Sequence, residues 1–284
     1  MAFSQLRPLS LGEVLDGAFT IYRRQFVSLF LTALAPQIPM IVLVGLYYGF
    51  IGSFAGAAGT GPDLSDATMT AVIAAMVVLF PIAAIGTATS VGGVTFQVAR
   101  AYTGAPVTTG DAIRRGFQRS LPMVGAYVVV FILSMFGLLA FIVGFFVVWI
   151  ASFAVAPAVV LERRGPIEAI SRSWALIKGA WGEVFLVMFI ASMISALPGS
   201  AVGMFAVIGG VVISKGDPDT LMAAQAVGQV LSQITRTLTF PFSLGATVLL
   251  YYDRRVRTEA LDVQMMAESL PTAPAPAPAA PGWG

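Results

Sequence analysis

Apolar and polar positions alternate along this chain in long blocks, and a short polar-edged stretch ahead of the apolar blocks recurs. From Ser10 to Phe19 a capping serine is followed three residues later by Glu13. Leu11, Val14, Leu15, Ala18, Phe19 and Tyr22 then fall at helical spacing on one face. Thr108 starts a second version, with Asp111 at the same offset, Ile113 and Phe117. Gly165 starts a third, with Pro166 at the first helical position, then Glu168, Ile170 and Trp174. Cap, acid at plus three, aliphatic at plus five and aromatic at plus nine therefore recur. The pattern predicts amphipathic helices over 10–24, 108–119 and 165–179, with Ser10, Glu13, Thr108, Asp111, Gly165 and Glu168 as cap residues. Phe19, Phe117 and Trp174 are the corresponding aromatic anchors.

Between these helices lie runs long enough to cross a bilayer, which needs about 20 apolar residues. The predicted spans are 26–54, 69–99, 121–139, 143–161, 181–213 and 221–252. Pro36, Pro39, Pro81 and Pro198 interrupt several of them. The run from Leu121 to Leu161 would measure roughly 60 Å as one helix, twice a bilayer core, so it is expected to fold back near Gly137 to Gly144. The pattern predicts an all-α polytopic membrane bundle, with six transmembrane helices in three repeats of amphipathic helix plus hairpin. An integral membrane domain over 1–262 is followed by a Pro/Ala-rich tail over 263–284 that reads as an extended, solvated segment.

Composition agrees: 57% of the 284 residues are hydrophobic and 11% are charged, with a mean hydropathy of +0.87. The first apolar run follows Arg23-Arg24 and is too long for a cleavable signal core. Charge then sets orientation. All but two of the 16 Lys and Arg, Lys215 and Arg236, fall in clusters beside the amphipathic helices or just after the last span. The positive-inside rule places both termini and all three amphipathic helices in the cytoplasm, as expected for a bacterial inner membrane. The amphipathic stripes are expected to lie in the membrane interface, with the basic residues beside anionic headgroups. The same topology accounts for the basic pI without nucleic acid.

Candidate chemistry is sparse. Without Cys or His the chain has no disulfide, no thiolate or imidazole metal ligand, and no histidine base. Glu13, Asp111 and Glu168 read as helix caps, and no pair of carboxylates is set for acid–base work. Gly203 to Gly210 has no phosphate-loop lysine, so no cofactor is predicted. The one polar feature inside a span is a stripe of Gln225, Gln229, Gln233 and Arg236 on one face of the last helix. It reads either as a polar cleft or as an outer helix end projecting into water. Small-residue pairs such as Gly86 with Ser90 and Gly199 with Gly203 suit close helix packing, within the bundle or between copies.

Three stretches carry a resemblance. Arg7 to Phe19 with Tyr22-Arg23-Arg24, Ala156-Pro157 through Glu162 and Arg172-Ser173-Trp174 to Trp181, and Leu249 to Leu261 resemble the membrane-domain family of bacterial glycerophosphoryl diester phosphodiesterases. The resemblance spans roughly residues 7 to 262. It implies a six-helix integral membrane protein. The phosphodiesterase chemistry of fused relatives is implied to sit in a separate soluble domain whose catalytic histidines this chain lacks. The functional expectation is a non-catalytic scaffold or regulatory membrane module with a membrane-protein partner. The alternative is a transporter or lipid-handling protein using the cleft near Arg236.

Overall fold

A computed structural model describes residues 7–56, 66–139 and 142–260, and every regular element among them is helical. In chain order these are α1 (Leu11–Arg24), α2 (Phe26–Leu34), α3 (Ile38–Gly56), α4 (Asp66–Tyr102), α5 (Thr109–Gln118) and α6 (Ser120–Leu139). They continue as α7 (Ile142–Ala151), α8 (Val155–Val160), α9 (Pro166–Ile177), α10 (Trp181–Ser214) and α11 (Pro218–Glu259). The tail 263–284 and the loop carrying Asp63 lie outside the described residues.

Among the described residues five segments are long and apolar enough to cross a membrane: Phe26–Tyr47, Met76–Tyr102, Ser120–Leu139, Val143–Val160 and Trp181–Ser214. The expected sixth, 221–252, is not among them. Gln225, Gln229, Gln233 and Arg236 dilute one half of α11, and Asp253 with Arg254 borders the other. The first segment is broken where Pro36 and Pro39 remove amide donors. α2 stops at Leu34, a 3-10 turn covers Ala35–Gln37, and α3 resumes at Ile38. Pro81 and Pro198, expected to interrupt their spans, instead lie inside continuous helices, as does Pro241, so a lost amide donor alone does not end a long helix.

Two glycine contacts decide local packing. A Cβ on Gly116 of α5 would lie 2.2 Å from the Thr89 carbonyl oxygen and 2.6 Å from the Gly93 nitrogen of α4, so only glycine lets these backbones touch. Gly137 and Gly144 meet in the same way where α6 ends and α7 begins, each leaving under 3.0 Å for a Cβ on the other.

Burial is uneven along the bundle. The largest core gathers Val14 and Ala18 of α1, Leu29 of α2, Val94 and Val98 of α4, Leu176 and Ile177 of α9, Val184 of α10 and Leu249 to Tyr251 of α11. A second core joins α4, α6 and α9 around Val155 to Val160 of α8. Away from this base the helices turn apolar side chains outward, as at Phe131, Leu139, Val211 and Ile213.

The stripe of α1 has a different neighbour from the one its pattern suggested. α1 runs antiparallel along the last part of α11: Gly17 meets Leu249, Ala18 meets Gly245, and the Tyr22 hydroxyl donates to the Leu238 carbonyl at 3.1 Å. Val14 and Ala18 are covered by protein, while Phe19 stays half exposed against Phe242. Hydrophobic periodicity fixes which face is buried, not what buries it.

Candidate functional site

The predicted caps sit where helices begin. Ser10 has extended backbone, its hydroxyl accepts from the Glu13 amide at 3.4 Å, and the Glu13 carboxylate accepts from the Ser10 amide at 2.8 Å. Arg7 pairs with the same carboxylate. The Arg7 hydrogen bond, then those from Ser10, pull the Glu13 pKa down to about 2. Thr108 accepts the Asp111 amide at 3.1 Å and donates its hydroxyl to the Asp111 carboxylate at 2.7 Å. Gly165 has no side chain to accept, so the third cap is one-sided: Glu168 receives the Gly165 amide at 3.2 Å. The three anchor aromatics are exposed, Phe19 by 52%, Phe117 by 64% and Trp174 by 37%, with Trp174 edge-on to Trp181. Of the three, Trp174 has the amphipathic ring that suits a membrane–water boundary.

Gln225, Gln229 and Gln233 are half-buried along α11, and Arg236 is exposed. Arg236 folds its stem across Gly199 of α10, where a Cβ would lie 2.3 Å from its Cγ. One turn away the Ser232 hydroxyl donates to the Gly199 carbonyl at 2.7 Å, and Thr239 donates to the Ser195 carbonyl at 2.6 Å. α11 continues for about 27 Å beyond Arg236 to Pro218. The residue is therefore seated mid-helix, on the α10–α11 contact, and not at a helix end.

The densest chemistry is a joint of charged groups at the base. Glu162, in the loop after α8, accepts from Arg172 at 2.9 Å, from the Tyr251 hydroxyl at 2.6 Å and from Arg164. Arg172 also grips Glu259 near the end of α11 with both terminal nitrogens, the longer contact being 2.8 Å. Arg255 closes the ring: it donates to Glu259 at 3.0 Å and lies 5.7 Å from the Tyr251 ring centre. Burial pushes the Glu162 pKa up, but hydrogen bonds from Arg172, Tyr251 and Arg164 outweigh it and leave the carboxyl below its ordinary value. The Arg172 hydrogen bond holds Glu259 down at about 2, and Glu259 in turn raises Arg172.

A second tie lies beside it. The Asp253 side chain is fully buried, accepts the Leu9 amide at 2.7 Å and pairs with Arg257 at 2.9 Å. Arg257 also donates to the Leu9 carbonyl at 2.7 Å. Arg254 donates to the Leu176 and Lys178 carbonyls at 3.1 and 3.3 Å, satisfying acceptors left open at the end of α9. Glu183 of α10 stands 3.9 Å from both Arg254 and Arg257.

Sequence reasoning treated these basic residues as topology markers and missed the joint. The available signal was acidic: Glu162, Asp253 and Glu259 stand inside otherwise basic stretches. Three stretches far apart in the chain meet here, through Leu9, Glu162 with Arg172, and Tyr251 to Glu259. Chemically the joint is a set of ties, since each carboxylate faces a guanidinium. No cluster of three acidic side chains suited to a metal ion occurs among the described residues. No protein-family model, no curated protein and no solved structure matches the chain.

Proposed function

We propose that this chain is a non-catalytic polytopic membrane module that scaffolds or regulates a membrane-protein partner at the cytoplasmic face. In this reading α11 supplies a sixth crossing, α1, α5 and α9 each open a helix-plus-hairpin repeat, and both termini are cytoplasmic in a bacterial inner membrane. It belongs with the membrane-domain family that its sequence resembles. The observation that carries the reading is the joint. Its acids are held by arginines drawn from α9 and α11 and serve as ties, fixing a rigid base from which exposed aromatic and apolar side chains, including Ile167 and Trp174 of α9, project. The test is crosslinking mass spectrometry on native membranes, which should recover a protein joined to α9 and lose it on Ile167→Glu. Recovery of lipid alone would sink the scaffold reading.

A second reading, transport or lipid handling, is favoured by one observation. Arg236 lies exposed on the α10–α11 contact, with the half-buried Gln225, Gln229 and Gln233 along the same helix. Buried or lipid-facing arginine is costly at the middle of a bilayer, about 2.5–3.5 kcal/mol on insertion scales, and marks functional positions in membrane proteins.

A further inference from the structure

Four arginines converge on one hollow at the base of α4. Arg100 of α4, Arg114 and Arg115 of α5, and Arg163 of the loop before α9 line a pocket of about 390 Å³. A single carboxylate, Asp111, shares the wall, and it is already engaged by the Thr108 hydroxyl at 2.7 Å and by Arg114 at 3.4 Å. Arg100 and Arg163 have no ion pair among the described residues. Like charges this crowded repel, and the one carboxylate in the wall pairs with Arg114 alone.

Two further observations suit an anion-binding role for this hollow. The Nε of Arg115 is buried without a hydrogen-bond partner, while its guanidinium lies 5.7 Å from the Phe96 ring centre. Buried charged donors are ordinarily satisfied, so this one is short of an acceptor. Arg163 holds a left-handed backbone at φ +58°, unfavourable for a residue with a Cβ. Its neighbours on both sides are fixed, Glu162 by Arg172 and Tyr251, and Arg164 through its amide to the Ala158 carbonyl at 3.2 Å. Strain retained beside three other arginines marks a position kept for what it faces. Burial, then Arg163 and Arg119, push the Arg115 pKa down, the direction an arriving anion would reverse.

We propose that this hollow binds the phosphate group of an anionic ester, with the guanidinium forks on the phosphate oxygens and Phe96 and Val107 against the ester's carbon skeleton. Guanidinium is suited to phosphate because its planar donors match adjacent oxygens. A second hollow, of about 430 Å³ and holding Arg23 and Arg24, meets the first at Val107 and extends the positive surface. The inference goes beyond the scaffold reading and stands whether or not the joint supports a partner. The same chemistry is offered by a phospholipid headgroup and by a soluble phosphate ester.

The full chain in nanodiscs separates these sources. In phosphatidylcholine discs, calorimetry with glycerol 3-phosphate and with inorganic phosphate reads soluble binding. In discs containing phosphatidic acid, native mass spectrometry reads retained anionic lipid. Arg115→Gln and Arg163→Gly should each weaken the positive arm by roughly tenfold, while Lys215→Gln at the other end of the bundle changes nothing. Arg163→Gly should also unfold at a higher temperature, since glycine adopts this backbone freely, which separates loss of ligand contact from loss of fold. A positive soluble arm assigns a soluble ester, and a positive lipid arm alone assigns a headgroup. Absence of binding in both arms, wild-type affinity in both arginine variants, or an equal loss in Lys215→Gln overturns the proposal.

Discussion

Replacing Asp253 by alanine should release α1 from the bundle without dismantling the rest. The Asp253 carboxylate is wholly enclosed and accepts the Leu9 amide at 2.7 Å, one residue before the α1 cap. Alanine leaves that amide without an acceptor, which costs about 1–3 kcal/mol. Arg257 loses this carboxylate too, although the Leu9 carbonyl at 2.7 Å and Glu183 at 3.9 Å remain beside it. Its side chain is 36% exposed and can turn to water, so this second loss adds at most about 1 kcal/mol. The sum, about 1–4 kcal/mol, raises the local opening equilibrium roughly 5- to 1,000-fold. Hydrogen exchange read by mass spectrometry over residues 9–14 in detergent micelles measures that opening directly. Asp253→Asn keeps an oxygen for the Leu9 amide and should show most of the wild-type protection. Alanine and wild-type protection agreeing within about threefold would refute the reasoning, because a buried tie would then contribute nothing.

Other perturbations test separate parts. Glu259 titrates near 2 when folded, against an ordinary value of 4.5, so its stabilising contribution is complete above pH 4.5 and is lost as pH falls toward 2. Glu162 shifts in the same direction, and thermal midpoints of wild type should fall through that window more steeply than those of Arg172→Gln. Gly116→Ala forces a Cβ into the Thr89 carbonyl and should destabilise by about 1–3 kcal/mol. Gly12→Ala meets no atom within 4 Å and should stabilise by up to about 1 kcal/mol, and chemical denaturation ranks the two. Arg236→Ala should leave folding intact, because the side chain is exposed where it crosses Gly199. If solute and lipid flux in proteoliposomes are also unchanged, the transport reading fails.

Local features were the legible ones. Ser10 with Glu13 and Thr108 with Asp111 are caps because capping is a contact between residues three apart, which a sequence displays directly. The break at Pro36 and the meeting of Gly137 with Gly144 were legible for the same reason. The joint was not. Arg172 and Glu259 are 87 residues apart, Tyr251 and Glu162 are 89 apart, and Leu9 and Asp253 are 244 apart, so nothing short of the fold brings them together. Counting basic residues for topology also hid their division into those bound to acids, such as Arg172 and Arg255, and those gathered without acids, such as Arg100 and Arg163. The stripe on α1 was visible, while its cover, α11, was not.

The uneven burial described above gives the protein a gradient of stiffness. In the most apolar 18-residue window of Ser120–Leu139 only 11% of residues are buried in protein, as in that of Trp181–Ser214, whereas the share in Met76–Tyr102 is 50%. Tilting a lipid-facing helix costs fractions of a kcal/mol per ångström of mismatch, so the expected response of such a bundle to a change in bilayer thickness is tilting of its less enclosed ends. The clamped end holds its shape through such changes.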